Sequence, residues 1–448
     1  MDLLITVAGF CVALFILVSV HEFGHFYVAR RCGVKVLRFC IGMGKPLISF
    51  RDRHGTEFGL APLPLGGYVK MLDERETEVL PADRHLAYNY KTPWQRIAIL
   101  AAGPTANFIL ALVVFWGMAA VMGSTGLTPN VGSVTPDSPA ALAGLAPGQR
   151  IVAVDGEPTA TRQAVFERLL GRLGETGELT LTVAEGDLER TLTVPLQGWL
   201  RGTVDPMPTQ GLGFDFYSPA VLVSEVQEGS AAASAGLAAG DIIRAVDGEP
   251  TPSLNRWIDY IKARPDTPIE LTVEREGELL DLSVTPRTTV LPDGTSAGQV
   301  GVMAGPSQFP EDMIVRENFG PLGIVVQGFE KTWDTTGFVL MSMKKLILGE
   351  ISTKNLSGPI GIAKVAGDQA RAGLPYFIEF LAILSIYLGV LNLLPIPILD
   401  GGHIVYCLVE AVKGSPVSER IQMFGFSAGL ALLGCVMVVA FYNDILRL

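Results

Sequence analysis

His21-Glu22-Phe23-Gly24-His25 follows directly on an uncharged apolar run from Leu3 to Val20. On a helix, residues four apart leave the same face one turn apart, so both imidazoles point the same way. Two neutral nitrogens so placed can grip one Zn²⁺ at about 2.0–2.1 Å each, leaving room for a third ligand and a water. Glu22 stands beside the first histidine, where its carboxylate can take a proton from that water. In a soluble protein the same face could simply be solvated, or be part of an ordinary packed helix. Here the motif closes a helix of membrane-spanning character, where each charge costs roughly 2.5–3.5 kcal/mol on insertion scales. Chemistry is the better reason for such residues to be there.

The chain has 448 residues, enough for about three domains, and 49% of them are apolar, which is high for a wholly soluble protein. Four apolar stretches approach spanning length: Leu3 to about Val28, Ile97 to about Met122, Tyr376 to about Ile398, and Ile421 to about Tyr442. The first starts Met1-Asp2 rather than with a basic segment, and no small-residue cleavage site precedes His21, so a span is expected rather than a signal peptide. Arg30, Arg31, Lys35 and Arg38 follow span one, Lys91 and Arg96 precede or open span two, and Lys413 and Arg420 lie between spans three and four. After span two no Lys or Arg appears until Arg150. This bias places those two loops in the cytoplasm and the central region outside. Lys364 and Arg371 pull mildly the other way, but long translocated regions weigh little in the rule. The net charge of −11, with no basic stripe, points away from nucleic acid. None of the five cysteines falls in the expected external region, so no disulfide framework supports it.

Val34–Phe39 alternates at period two, and the chain beyond it is punctuated by Gly42, Gly44, Pro46, Gly55, Gly59, Pro62, Pro64, Gly66 and Gly67, predicting short strands and tight turns. Two readings fit this stretch. It is either a re-entrant hairpin edging the site, allowed at membrane depth only where buried or lining a wet cavity, or an ordinary cytoplasmic hairpin. In span two, Gly103-Pro104 and Asn107 predict close helix packing and a packing hydrogen bond. The segment 306–375 carries Lys344-Lys345 inside an apolar run and reads as an amphipathic outer-surface segment rather than a fifth span.

Between spans two and three lies an internal repeat. Ser138–Leu145 recurs as Ser230–Leu237, and Asp155-Gly156-Glu157-Pro158 as Asp247-Gly248-Glu249-Pro250, both at an offset of 92 residues. Two copies of that length are two domains rather than a solenoid. The pattern resembles tandem PDZ domains, with expected bounds 127–209 and 210–305. Gly211-Leu212-Gly213-Phe214 leads into the second copy and resembles a PDZ carboxylate-binding loop. The first copy shows no such loop, and has Gln149 where the second has Asp241. Both copies can also be read as a size-excluding cap.

Two histidines need a third protein ligand. His54, His85 and His403 lie in loops or at a span edge, and the better candidate is Asp400. Pro395 and Pro397 just before it cannot continue a helix, so the backbone unwinds there. An unpaired carboxylate at that depth is costly, whereas a metal compensates it. Counting from the outer ends, His21 lies roughly 27 Å and Asn392 roughly 24 Å along their helices, so the two polar clusters can meet.

The HEFGH motif, the run Asn392-Leu393-Leu394-Pro395-Ile396-Pro397-Ile398-Leu399-Asp400-Gly401, the paired central domains, Gly66–Glu74 and Gly358-Pro359-Ile360 together resemble the site-2 protease family over almost the whole chain. The resemblance implies an intramembrane zinc metalloprotease with His21, His25 and Asp400 as Zn²⁺ ligands and Glu22 as general base. It implies Asn392 and Pro397 as substrate-positioning residues. Gly42-Met43-Gly44 resembles the family's substrate-binding re-entrant β-loop, with Met43 in place of the expected aromatic. The implied fold is a multi-pass α-helical membrane protein of four spans, with a re-entrant β-loop and two extracytoplasmic α+β PDZ domains. Spans one and two fall within 1–126 and spans three and four within 376–448. The implied setting is a bacterial inner membrane, PDZ domains periplasmic, in an envelope stress response. The implied partners are the bilayer, pre-trimmed single-span anti-sigma factors and remnant signal peptides. A non-catalytic PDZ scaffold has no need of His21, Glu22, His25 and Asp400 together. A metal transporter would carry more intramembrane carboxylates and a repeat among its spans.

Overall fold

The first helix, α1 (Asp2–Arg31), stops where Gly33 turns to a φ of 70° and the Val34 N–H closes onto the Ala29 carbonyl at 2.9 Å. Arg30 and Arg31 lie in its last turn, against the negative end of the helix dipole. The computed structural model describes residues 2–75, 78–186, 188–250, 254–290 and 295–447. It divides into two compact units, one of Met1–Gly123, Gly202–Asp205 and Asn318–Leu448, the other of Ser124–Arg201 and Pro206–Glu317.

In the first unit, α1 leads into a four-stranded sheet of β1 (Val36–Met43), β2 (Ile48–Arg51), β3 (Glu57–Leu60) and β4 (Leu63–Met71), in the order β2-β3-β1-β4. The expected hairpin is therefore a sheet, with β1 parallel to β3 and antiparallel to β4. Phe26, Ala29, Val34, Val36, Phe39 and Ile99 form one apolar cluster that fixes the sheet to α1. Arg30 adds a polar pin. It lies 4.5 Å over the Phe26 ring and pairs with Asp52, whose carboxyl its hydrogen bond holds at about 2.

The helix α2 (Pro93–Met122) opens on a capping box between Thr92 and Gln95 with proline in the first turn. It lies close to α1 at Gly24, where a Cβ would sit 2.9 Å from that of Ala106. The remaining helices are α3 (Pro321–Ile347), α4 (Pro359–Ala372), α5 (Leu374–Leu393), α6 (Asp400–Lys413) and α7 (Glu419–Leu446). Among the described residues, α1, α2, α5 and α7 are long and apolar enough to cross a membrane, matching the four expected stretches. The charged α3 is not among them, yet it does more than cover a surface. Its Val339 is wholly buried with Ala111 and Phe115 of α2 and Ala382 and Ile386 of α5.

The C-terminal end of α7 holds the start of α4. Asp444 is buried and accepts hydrogen bonds from the N–H groups of Gly358, Ile360 and Gly361 at 2.9, 2.9 and 3.0 Å. Free N–H groups at a helix start require such acceptors, and Pro359, having none, sits between them at no cost. A Cβ at Gly358 would stand 2.6 Å from the Asp444 carboxylate, which explains the Gly-Pro-Ile-Gly run.

In the second unit, β5 (Ser124–Leu127) is followed by β6 (Val131–Val134), β7 (Arg150–Val154), β8 (Gly177–Glu185) and β9 (Leu188–Leu196), with the helix Arg162–Leu170 between β7 and β8. Next comes β10 (Phe214–Phe216). It pairs antiparallel with β6, Phe214 opposite Val134. Residues 210–216 therefore belong to the first copy, and the expected boundary at 209/210 is corrected to beyond Phe216. The glycine-rich loop 211–214 moves with it, so the first copy does possess such a loop.

The second copy comprises β11 (Val221–Val226), β12 (Ile242–Val246), β13 (Ile269–Arg275), β14 (Glu278–Val284) and β15 (Val302–Pro306), in the order β14-β13-β12-β11-β15. Its matching loop is Gly298–Val302: Gly301 lies against Ser230 as Gly213 lies against Ser138, both glycines at positive φ. The Gln227 N–H donates to Gly301 O as the Thr135 N–H donates to Gly213 O. A last strand, β16 (Ile314–Glu317), returns to pair with β5, so the connecting segment begins after 317 rather than at 306.

The Gln149/Asp241 difference is half of a paired exchange. In the second copy Asp241, fully buried, accepts from the Arg275 guanidinium at 2.6 and 2.7 Å and from the Ala238 N–H at 2.9 Å. In the first, Gln149 accepts from the Ala146 N–H at 3.0 Å and donates to Glu185 at 3.2 Å. Strand register puts Glu185 where the second copy has Arg275.

Candidate active site

The stretch between α5 and α6 unwinds as its prolines require. The α5 helix ends at Leu393, short turns close from Ile396 N–H to Leu394 O at 2.7 Å and Leu399 N–H to Ile396 O at 2.8 Å, and α6 begins at Asp400. Gly401 and Gly402 let this first turn tuck under the end of α5, because a Cβ on either would run into the carbonyls of Leu393, Leu394 or Ile396. Arg96 of α2 and Glu410 of α6, both mostly buried, form an ion pair that fixes α6 against α2.

The turn delivers Asp400 to the two histidines of α1. Its Oδ2 lies 3.3 Å from Nε2 of His21 and 3.3 Å from Nε2 of His25, and the two Nε2 atoms are 3.2 Å apart. Ligand bonds of about 2.0–2.1 Å at tetrahedral angles give edges of about 3.3–3.4 Å, so the triangle has the size one zinc ion requires. Asp400 Oδ2 is buried without a hydrogen-bond donor, a costly state for a carboxylate that a cation relieves. The residues fit the metal.

Both rings are held from behind. His25 Nδ1 lies 2.7 Å from the carbonyl oxygen of Ile99, which can only accept, so the proton sits on Nδ1 and the Nε2 lone pair faces Asp400. His21 Nδ1 lies 3.1 Å from the side-chain amide of Asn107. Gly103, one turn before Asn107, makes room for the pair, since a Cβ there would stand 2.7 Å from His25 Cε1 and 2.8 Å from His21 Cε1.

A cavity of about 460 Å³ opens on this cluster. Its walls include Glu22, Asn392 and the β4 residues Gly67 to Met71. Gly67 passes close to Glu22, where a Cβ would come 2.9 Å from the Glu22 Cγ. Among the described strands β4 is the last in its sheet.

The other expected residues lie elsewhere. Gly42 and Gly44, at positive φ, flank the end of β1 and do not line the cavity, so the strand that borders the site is β4. Pro397 is packed against α7, where Gly425 and Gly429 would bring a Cβ to 3.3 and 3.5 Å from its ring. It shapes the turn before Asp400 rather than the cavity wall. Sequence reading passed over Asn107 as a site residue. Its signal was the four-residue spacing from Gly103, which sets both on one face of α2.

The profile of Peptidase family M50 matches residues 9–436. The regulator of sigma-E protease RseP of Salmonella typhimurium is 42% identical over 452 residues, covering all of both chains. The protein of the same name from Escherichia coli K12 is 42% identical over 98% of each, and protease RseP of Yersinia pestis 41% over the full length of both. Among solved structures, a PDZ domain of an SdrC-like protein from Listeria innocua aligns at 24% identity with 19% of this chain and 92% of its own, at a TM-score of 0.17. With profile and full-length relatives in agreement, the chain is a metalloprotease of peptidase family M50.

Proposed function

We infer that this protein uses zinc to hydrolyse peptide bonds inside transmembrane segments. The observation that carries the reading is the triangle of His21, His25 and Asp400, of zinc-binding size, with both histidines in the C-terminal half of a helix long and apolar enough to span a membrane. Zinc held there supplies Lewis acidity and lowers the pKa of water towards about 7. Glu22, in the same cavity, accepts the proton of the attacking water and passes it to the leaving amine. Asn392, across the cavity, offers an amide N–H to the oxygen on which charge develops. A helical substrate hides its carbonyls in its own hydrogen bonds and must unwind first. The outer side of β4, last in its sheet, then takes the extended segment by strand addition, holding it beside Glu22.

The substrates proposed are pre-trimmed single-span anti-sigma factors, a reading supported by relatives named as regulators of sigma-E, with remnant signal peptides as a second class of the same chemistry. The setting is a bacterial inner membrane. The repeated domains, PDZ-like in their glycine-loop and strand pairing, lie in the periplasm and exclude substrates with bulky outer domains.

The deciding experiment compares wild type with Glu22→Gln on a truncated single-span reporter while measuring bound zinc. The variant should retain zinc and lose cleavage by roughly 10²–10⁴-fold. Undiminished cleavage would remove Glu22 from the mechanism, and wild type without zinc would remove the metal.

A further inference from the structure

We propose that Asn107 is a positioning residue for the metal centre: its side-chain oxygen accepts the Nδ1 proton of His21 and thereby presents the Nε2 lone pair to the metal. The proposal rests on the zinc-site reading of the cluster. His21 Nε2 faces Asp400 and His25 Nε2 at 3.3 and 3.2 Å, so that nitrogen must be the unprotonated one if it binds a cation. A neutral imidazole then carries its proton on Nδ1 and needs an acceptor there. The group found 3.1 Å away is the Asn107 amide, wholly buried in α2.

The two ends of an amide have nearly the same shape, and the surrounding hydrogen bonds decide which one faces a partner. With Nδ2 towards the ring, Asn107 would donate to Nδ1, forcing the proton onto Nε2 and blocking it. With Oδ1 towards the ring, the amide accepts from Nδ1 and Nε2 is free. His21 then has what His25 has in the Ile99 carbonyl, an acceptor behind the ring at 2.7 Å. The two ligands are thus oriented from two turns of α2, one by backbone and one by side chain. The backbone at Asn107 is tied to α5, because its main-chain carbonyl accepts from Ser385 Oγ at 2.9 Å.

The test is zinc affinity of the full-length protein in detergent, by competition with a chelator, for Asn107→Leu, Asn107→Asp and Asp400→Ala. Leucine removes the acceptor at similar volume, and the expected loss is about 10–100-fold in affinity. Aspartate keeps an acceptor oxygen in place, and its affinity should stay within about threefold of wild type. An Asn107→Leu protein that binds zinc as tightly as wild type overturns the proposal. So does a folded Asn107→Asp protein as weak as the leucine variant, which keeps the test decisive if leucine impairs folding. Asp400→Ala separates the two readings: unchanged affinity in that variant would mean the metal is not held here at all.

Discussion

Gly103 and His25 are in contact face to face: the helix α2 presents a bare backbone where any side chain would displace the imidazole. Gly103→Ala should therefore cost zinc affinity on the order of 100-fold, since a Cβ would stand 2.7 Å from His25 Cε1 and 2.8 Å from His21 Cε1. Zinc retained after chelator dialysis measures it. An alanine variant with wild-type zinc would mean that the α1–α2 spacing yields more readily than this packing implies.

Gly67→Ala acts on the other side of the cavity and should leave the metal in place. A Cβ there meets Glu22 Cγ at 2.9 Å and Val18 Cγ1 at 2.8 Å, displacing the base and the strand edge together. Displacements near 1 Å at a reacting group cost about 100-fold in rate. Reporter turnover at unchanged zinc content is the measurement, and normal turnover would release both β4 and Glu22 from the roles given them.

Asp444→Ala should lower stability by about 2–3 kcal/mol, because three helix-start N–H groups lose their acceptor at once. Hydrogen exchange at Ile360 and Gly361 should rise locally before global unfolding. Unchanged exchange there would show that water substitutes fully for the carboxylate.

The second repeat should be the more acid-sensitive of the two at its buried polar position. Hydrogen bonds from Arg275 hold the Asp241 carboxyl below the usual carboxylate range, against the opposing effect of burial. A lowered folded-state pKa gives stability that is fully present above the unfolded value of about 3.9 and is lost as pH falls through the folded one. Asp241→Asn should cost about 2 kcal/mol at neutral pH and abolish that dependence. Exchange along Ile242–Val246 against pH reads both, and an identical profile in the variant would refute the assignment.

The convergence of His21, His25 and Asp400 was legible because each of its signals is local. The spacing of His21 and His25, the prolines before Asp400 and the apolar lengths around them each need only a short window of chain. The misplaced features are those set by distant pairing. A repeat offset marks where similarity restarts, not where the chain folds, so the loop at Gly211–Phe214 was given to the copy it precedes. Its hydrogen bonds run back to Val134 and Thr135 instead. Likewise Gly42 and Gly44 look like the loop beside the site, but the order β2-β3-β1-β4 puts β4 at the border. Nothing in the residues of β4 alone distinguishes an outer strand from an inner one. A lone polar residue in a span is usually a packing residue, as the sequence around Asn107 suggests, and only the position of His21 Nδ1 identifies its partner.

His21 and His25 lie in α1, and among the described residues Asp400 follows α5, the third of four span-class helices. A ribosome threading this protein into a membrane completes the ligand set only after both repeated domains and α5 have been made. Until then the first helix carries two histidines and a glutamate with no third donor to close the site. Zinc, once bound, acts as a clasp between the beginning and the end of the polypeptide, so removing it should loosen α6 from α1 as well as silence the enzyme.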